Sequence, residues 1–349
     1  MRTPLCDRLS ASGAHFGEYR GAETALSFGD TSAELNALRS SAGLVDFGFR
    51  AKLIVAGSDR QKWLNGMLTN NLRDLATDRG TYNFLLNAQG RILADMNVYN
   101  RGEYLLIDTD IAQREKVLST LDHFIIMDDV ELSDASDKLT ALAVIGPAAG
   151  EILNRAGFSI PPLEPLQVAD FAWNGIGASA MRLPERENGY EIWSACEANA
   201  RLWDALREAG ARPAGADALE IWRVLRGIPL YGQDLRDLNL PQETEQHHAL
   251  DFTKGCYIGQ EIVERIRSRG AVHRTFTGFR IEGPPPASGT TVTLGGKEVG
   301  VITSAVAVPN GSGSKTLALG YIRREAAGGG NPLQAGDAAA VVSSLPFDL

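Results

Sequence analysis

The sequence predicts an α+β protein that ends in a small all-β module. Three observations carry this reading. Residues 51–133 run in the order β-α-β-β-β-α-β, and residues 139–209 show a related β-α-β-β-α order. Beyond about residue 272 the chain becomes Gly/Ser/Ala-rich, with short apolar runs and no helical period. At 349 residues the chain exceeds one ordinary core, so two or three domains are expected.

The elements follow in order. Ala33 to Leu44 is expected as a helix, with Leu35, Leu38 and Ala42 on one face. AKLIVAG (51–57) reads as a buried strand, and Ser58-Asp59 offers caps for a helix carrying Trp63, Leu64, Met67 and Leu68. TYNFLLN (81–87) and RILADMNVYN (91–100) are strands joined through Ala88-Gln89-Gly90, and EYLLIDT (103–109) is a third. Asp110 is positioned to cap a helix running to Phe124, and DVELS (129–133) closes a split βαβ unit with one added strand. The second run has strands at 139–146, 178–183 and 189–194, with helices from Pro147 to Ala156 and from Glu197 to Ala209. Residues 159–165 are Pro-rich and read as a loop. A helix from Asp217 to Arg226 leads into GIPLYGQDL. Trp63, Trp203 and Trp222 fall on apolar helix faces, as core residues do. The tail, with TVTL, EVGVITSAVAV, LALGYI and AAVVSS, reads as a small β-barrel or sandwich.

Composition excludes several classes. Hydrophobic residues make up 44% and charged residues 22%, as in a soluble globular protein. A net charge of −9 argues against nucleic acid and anionic membranes as partners. The three cysteines are odd in number and far apart, which suggests a reducing compartment rather than a disulfide framework. With no apolar run of spanning length and no secretory h-region, a cytoplasmic location is expected. His247-His248 has no CxxC or HExxH beside it, so no metal site is expected. Neither a P-loop nor a G-x-G-x-x-G motif is present.

Chemistry concentrates between Asp251 and Arg269, DFTKGCYIGQEIVERIRSR. Ile258, Ile262 and Ile266 recur every four residues and Gly270 follows, which predicts an amphipathic helix with Glu261 and Arg265 one turn apart. Cys256 then falls at or just before the helix start, beside Lys254, where a thiol pKa is lowered. By default a lone cysteine is a small core residue. Gly255 and Gly259, which a core-filling cysteine does not need, put a functional thiol on an equal footing with that default. Two carboxylates stand out as well. Asp95 lies mid-strand, where aspartate needs a partner or a cavity, and Glu243 lies in the connection before the cysteine. The default for each is a surface role.

Lys254-Gly255-Cys256-Tyr257-Ile258-Gly259-Gln260-Glu261 resembles the K-G-C-[YF]-x-G-Q-E signature of the YgfZ family. These are folate-binding proteins related to the T-protein (aminomethyltransferase) of the glycine cleavage system, and they include the mitochondrial iron–sulfur assembly homologue. The likeness covers nearly the whole chain. QGRILADMNVY is similar to the T-protein strand G-G-x-x-D-D-L-x-V-Y, RGIPLYGQDL to R-x-G-x-P-L-Y-G-x-D-L, and VGVITSAVAVPN with LALGYI to its C-terminal barrel.

The resemblance implies a T-protein-like folate-binding fold, with ferredoxin-like units around a central channel and a small C-terminal β-barrel. The expected division is residues 1–50 together with 139–271, a ferredoxin-like module at 51–138, and the barrel at 272–349. The implied cofactor is tetrahydrofolate or its 5,10-methylene or 5-formyl derivative. Glu243 is the best match to the glutamate that holds the pterin. Asp95, Tyr82, Asp108, Tyr231, Gln260, Arg265 and Arg269 are the other implied folate contacts. Cys256, Lys254 and Asp95 are the implied reactive residues.

This sequence departs from the T-protein in two places. Ala94-Asp95 stands where that family has two aspartates, and the cysteine signature is not a T-protein feature. Both departures favour a YgfZ-type monomer that assists iron–sulfur cluster assembly or repair, working with assembly proteins or cluster enzymes. A folate-dependent aminomethyl- or methyltransferase and a non-enzymatic folate-sensing module remain alternatives.

Overall fold

The computed structural model describes residues 1–184, 187–270, 272–310, 313–328 and 332–348, without the side chains of Arg269 and Asn310. The chain divides into two compact units, residues 1–83 with 95–219, and residues 84–94 with 220–349. The expected divide at 138/139 thus falls inside the first unit, and the one at 271/272 inside the second.

The first unit opens with α1 (Cys6–Ala11) and the hairpin β1 (His15–Tyr19) and β2 (Ala22–Ser27). Arg20 and Gly21 form its turn at φ 52° and 88°, the two-residue loop with both angles positive that matches strand twist. Next comes α2 (Thr31–Ser40), whose N-cap Asp30 accepts from Ala33 N at 3.0 Å. The expected helix at 33–44 is therefore shorter, because β3 (Gly43–Asp46) is drawn into pairing with a later strand.

Two sheets follow. β4 (Arg50–Ala56), α3 (Arg60–Met67), β5 (Gly80–Leu86), β6 (Ile92–Asn100), β7 (Leu105–Asp110), α4 (Arg114–Asp122) and β8 (Glu131–Asp134) build a sheet in the order β5-β6-β7-β4-β8. Without β5, this antiparallel order is that of a βαββαβ ferredoxin-like unit, as the element order predicts. The residues at the tip of the β5–β6 hairpin, 84–94, group with the second unit.

The other sheet contains β9 (Leu139–Ile145), β10 (Val168–Trp173), β11 (Ile176–Arg182), β12 (Gly189–Ala195) and β13 (Arg212–Pro213), with α5 (Ala149–Arg155) and α6 (Asn199–Glu208) between them. Its order is β10-β11-β12-β9-β3-β13. β9 reads LTALAVI and is buried almost throughout, as a continuous apolar run implies. Leu142, Val144 and Ile192 pack against Leu202, Trp203 and Leu206 of α6. Truncating one of these leucines to alanine costs about 2–5 kcal/mol. Sequence reading missed β10, whose residues VADFAW bury only every third side chain.

The chain passes into the second unit within α7 (Ala216–Leu225). This unit contains α8 (Gln260–Arg269) and β14 (Arg274–Ile281), β15 (Thr291–Leu294), β16 (Lys297–Asn310), β17 (Gly313–Arg323), β18 (Leu333–Ala335) and β19 (Ala338–Ser343). The six strands close a barrel in the order β14-β17-β16-β15-β18-β19 around Phe279, Ile302, Ala318 and Ile322. Arg223 is buried against Asp234 at 2.7 Å, and Ser304 satisfies both. Removing one partner of such a pair costs about 3–5 kcal/mol. Among the described residues no helix is long and apolar enough to cross a membrane.

Candidate functional site

The polar centre of the first unit is built by strand register. β4 and β7 pair antiparallel with Arg50 opposite Asp110 and Lys52 opposite Asp108. Residues two apart share a face, so two cations meet two carboxylates on one side of the sheet. Arg50 reaches Asp108 at 2.6 Å and Asp110 at 2.5 Å. Lys52, fully buried, donates to Asp108 at 2.6 Å and to Glu191 of β12 at 2.7 Å. Trp193 Nε1 also donates to Glu191, at 2.8 Å, and its ring lies 5.1 Å from the Lys52 ammonium. Arg20 lies against Tyr19 and Phe49 and reaches Asp110 at 3.5 Å.

Asp95 of β6 belongs to this centre. Tyr82 donates to its Oδ2 at 2.7 Å, and Gln113 Nε2 donates to its Oδ1 at 2.8 Å. Gln113 also accepts from Asp95 N at 3.0 Å, so a single buried amide holds both the backbone and the carboxylate. Tyr99, two pairs along the same face, packs edge-on against Trp193 at 4.9 Å. Among the described residues its buried hydroxyl finds no hydrogen-bond partner.

Among the described residues, the carboxylates Asp95, Asp108, Asp110, Glu187 and Glu191 face the cations Arg20, Arg50 and Lys52. The balance of burial and charge differs from one carboxylate to the next. Burial raises the Asp95 pKa, and the Asp110 charge raises it further. Burial opposes ionisation of Asp108 too, yet Arg50 and Lys52 outweigh it and hold that carboxyl below its ordinary range. Burial pushes Glu191 upward against the pull of Lys52. Glu187 is pushed up to about 7, by burial first, while Arg50 works against it and Glu191 adds to it. Among the described residues no side chain donates a hydrogen bond to Glu187.

The residues expected from sequence fall into two groups. Tyr82, Asp95 and Asp108 lie in the first unit, all within this network. Tyr231, Glu243, Lys254, Cys256, Gln260 and Arg265 lie in the second. Tyr231 donates to Asp237. Glu243 is buried, and both its oxygens are engaged: Arg274 donates at 2.8 and 3.1 Å, and Leu240 N at 3.0 Å. Glu243 and Arg265 share a cavity of about 360 Å³ with Leu240, Ile266, Val272 and His273. The side chain of Arg269 lies outside the described residues.

The cysteine segment differs from expectation. α8 begins at Gln260, four residues after Cys256, so the thiol is not in the first helical turn. Gly259 sets this start. It caps the helix at φ 82°, and a Cβ there would stand 2.6 Å from Asn87 O. Cys256 is exposed, whereas Lys254 is buried with its ammonium 5.1 Å from the Tyr257 ring. Among the described residues, α8 pairs Glu264 with Arg267 at 3.6 Å and not Glu261 with Arg265.

Sequence reading missed Arg50, Lys52, Gln113, Glu187 and Glu191. The available signal was a lysine inside AKLIVAG and alternating aspartates in LIDTD, charges at period two within strands that are otherwise core.

A ferredoxin-like sheet, a second α/β sheet and a closed six-stranded barrel define a T-protein-like fold. The profile of the GCVT N-terminal domain matches residues 5–254, and that of the CAF17 C-terminal beta-barrel domain matches residues 274–347. The chain belongs to the GCVT N-terminal domain family. An aminomethyltransferase of Geobacillus kaustophilus is 31% identical over 343 residues, covering 95% of this chain and 93% of its own. One from Rubrobacter xylanophilus is 31% identical over 333 residues, covering 94% and 88%. The glycine cleavage system aminomethyltransferase T of Bartonella henselae superposes with a TM-score of 0.89 at 22% identity, over 100% of this chain and 98% of that one. That likeness speaks for the fold.

Proposed function

We propose that the chain binds a reduced folate at the carboxylate network of its first unit and acts as a YgfZ-type accessory factor in iron–sulfur cluster assembly or repair. The observation that carries the folate assignment is Glu187, a half-buried carboxylate at the turn before β12 that accepts from no side chain among the described residues; burial pushes its pKa up to about 7. A pterin edge presents adjacent N–H donors, which a carboxylate can accept as a pair. Glu243, the anchor implied by resemblance, already spends both oxygens on Arg274 and Leu240 N, so Glu187 suits the role better. The Tyr99 hydroxyl, without a hydrogen-bond partner among the described residues, adds a donor to the same network.

Tetrahydrofolate, when bound, supplies nitrogens that carry one-carbon units. Asp95 is held by Tyr82 and Gln113, and burial together with the Asp110 charge raises its pKa above the ordinary carboxylate value, which favours its protonated form. The iron–sulfur assignment rests on Cys256, an exposed thiol whose thiolate form is a soft ligand suited to iron.

A folate-dependent aminomethyltransferase is the second reading. It is favoured by curated relatives of that name at 31% identity over 95% of the chain. Calorimetric titration with tetrahydrofolate tests the shared element: wild type binds, and Glu187→Ala weakens binding by about one to two powers of ten. Absence of binding by wild type sinks both readings. Complementing a strain that lacks its own YgfZ-type protein then separates them. If Cys256→Ser restores cluster-enzyme activity as well as wild type does, the accessory-factor reading fails.

A further inference from the structure

The loop after α4 reads Asp122-His123-Phe124-Ile125-Ile126-Met127-Asp128-Asp129. Ile126 is 82% and Met127 94% exposed, the highest values among the large apolar side chains of the described residues. Buried elsewhere, each such side chain would contribute about 1.5–3 kcal/mol. A floppy tip could shed this exposure by folding back, but this one is clamped on both sides. Trp63 Nε1 donates to Phe124 O at 3.2 Å from a buried ring. Beyond the tip, Asp59 N donates to Asp129 O at 3.2 Å, and Asp129 N to the Asp59 carboxylate at 3.0 Å. Ser58 closes the clamp, donating to the Asp129 carboxylate at 3.0 Å from its N–H and 2.8 Å from its hydroxyl.

Along the chain, the segment that carries the tip is acidic. Asp122, Asp128, Asp129 and Glu131 are exposed around the two apolar side chains, and no Lys or Arg occurs between Lys116 and Lys138. We propose that this tip is a docking element for a partner protein that offers an apolar socket rimmed by lysine and arginine. Complementary charge steers such an encounter and the apolar anchors hold it. A second copy of this chain, at net charge −9, is repelled, and an anionic membrane is repelled likewise.

The test places the photo-cross-linking residue p-benzoylphenylalanine at position 127, or at the exposed Leu238 as control, in the cells that make the protein. The proposal expects a distinct heterologous adduct from position 127, and the adduct partner is then purified and titrated. Its affinity should fall with added salt. Ile126→Ser with Met127→Ser should weaken it at least tenfold, and Asp122→Asn with Asp128→Asn should slow association several-fold at low salt. Circular dichroism should be unchanged in both double variants, because these side chains project into solvent. An adduct only with another copy of the chain or with lipid, no adduct beyond the Leu238 control, or equal affinity for the serine variant would overturn it.

Discussion

Lys52 and Asp108 face each other across the β4–β7 pair at 2.6 Å, and both are withdrawn from solvent. The same ammonium reaches Glu191 on the other sheet at 2.7 Å, so one side chain ties two sheets of the first unit together. Replacing it with methionine keeps the volume and leaves two buried carboxylates short of a cation. Lys52→Met should lose about 3–5 kcal/mol in urea unfolding. Adding Glu191→Leu should recover part of that loss. A loss below 1 kcal/mol would mean that water already reaches the pair.

Glu187 yields a pH prediction with a definite sign. Its folded pKa of about 7 lies above the ordinary carboxylate value of 4.5, so the folded state binds more protons between those limits. Stability from this group is therefore present below about pH 4.5 and is lost as pH rises towards 7. Glu187→Gln should flatten that slope and gain about 1–2 kcal/mol at pH 8, after allowing for partial exposure. Urea midpoints of both proteins from pH 5 to 8 check this. If the ionised carboxylate anchors a pterin, wild-type affinity for tetrahydrofolate rises over the same interval, and that of Glu187→Gln does not.

Asp95 offers a local test. Tyr82 bonds the ionised carboxylate, so Tyr82→Phe should raise the Asp95 pKa further, by removing a stabilising bond while burial and Asp110 remain. Carbon-13 NMR of the Asp95 carboxyl reads the direction directly. An unchanged midpoint would mean that the hydroxyl does not bond Asp95 in solution.

Glu243 should behave as a structural residue. Glu243→Ala removes the partner of the partly exposed Arg274 and leaves Leu240 N unpaired, so a stability loss of about 1–2 kcal/mol is expected. Folate affinity should change by less than threefold. A larger fall in affinity at unchanged stability would restore the pterin role to Glu243.

The thiols should separate by exposure. Cys256 is exposed, Cys196 intermediate and Cys6 buried, and burial also raises the Cys196 pKa. Native-state iodoacetamide labelling, read by mass spectrometry, should proceed in that order. Cys6 reacting first would contradict the packing of α1.

Much of the architecture is legible in the chain because period-two and period-3.6 patterns report which face of an element is covered. The strands of 51–133, the α6 stripe through Leu202, Trp203 and Leu206, and the barrel strands follow from spacing alone. Asp95 stood out in the sequence as a charge in mid-strand, but its site role was implied by the family resemblance rather than by the pattern. β3 was hidden because GLVD is too short to carry a period and forms only between β9 and β13, both far along the chain.

Periodicity places a side chain on a face; it does not name the neighbour. Lys52 finds Glu191 at a separation of 139 residues, and Glu243 finds Arg274 at 31. Whether each carboxylate is spent on a partner or left open was decided by how the sheets and loops came together. Glu187 is the clearest case. Its sequence context, a polar turn before a strand, describes an ordinary surface residue. Only assembly beside Glu191 and Asp108, where burial withdraws water from like charges, turns it into a group that titrates near neutrality.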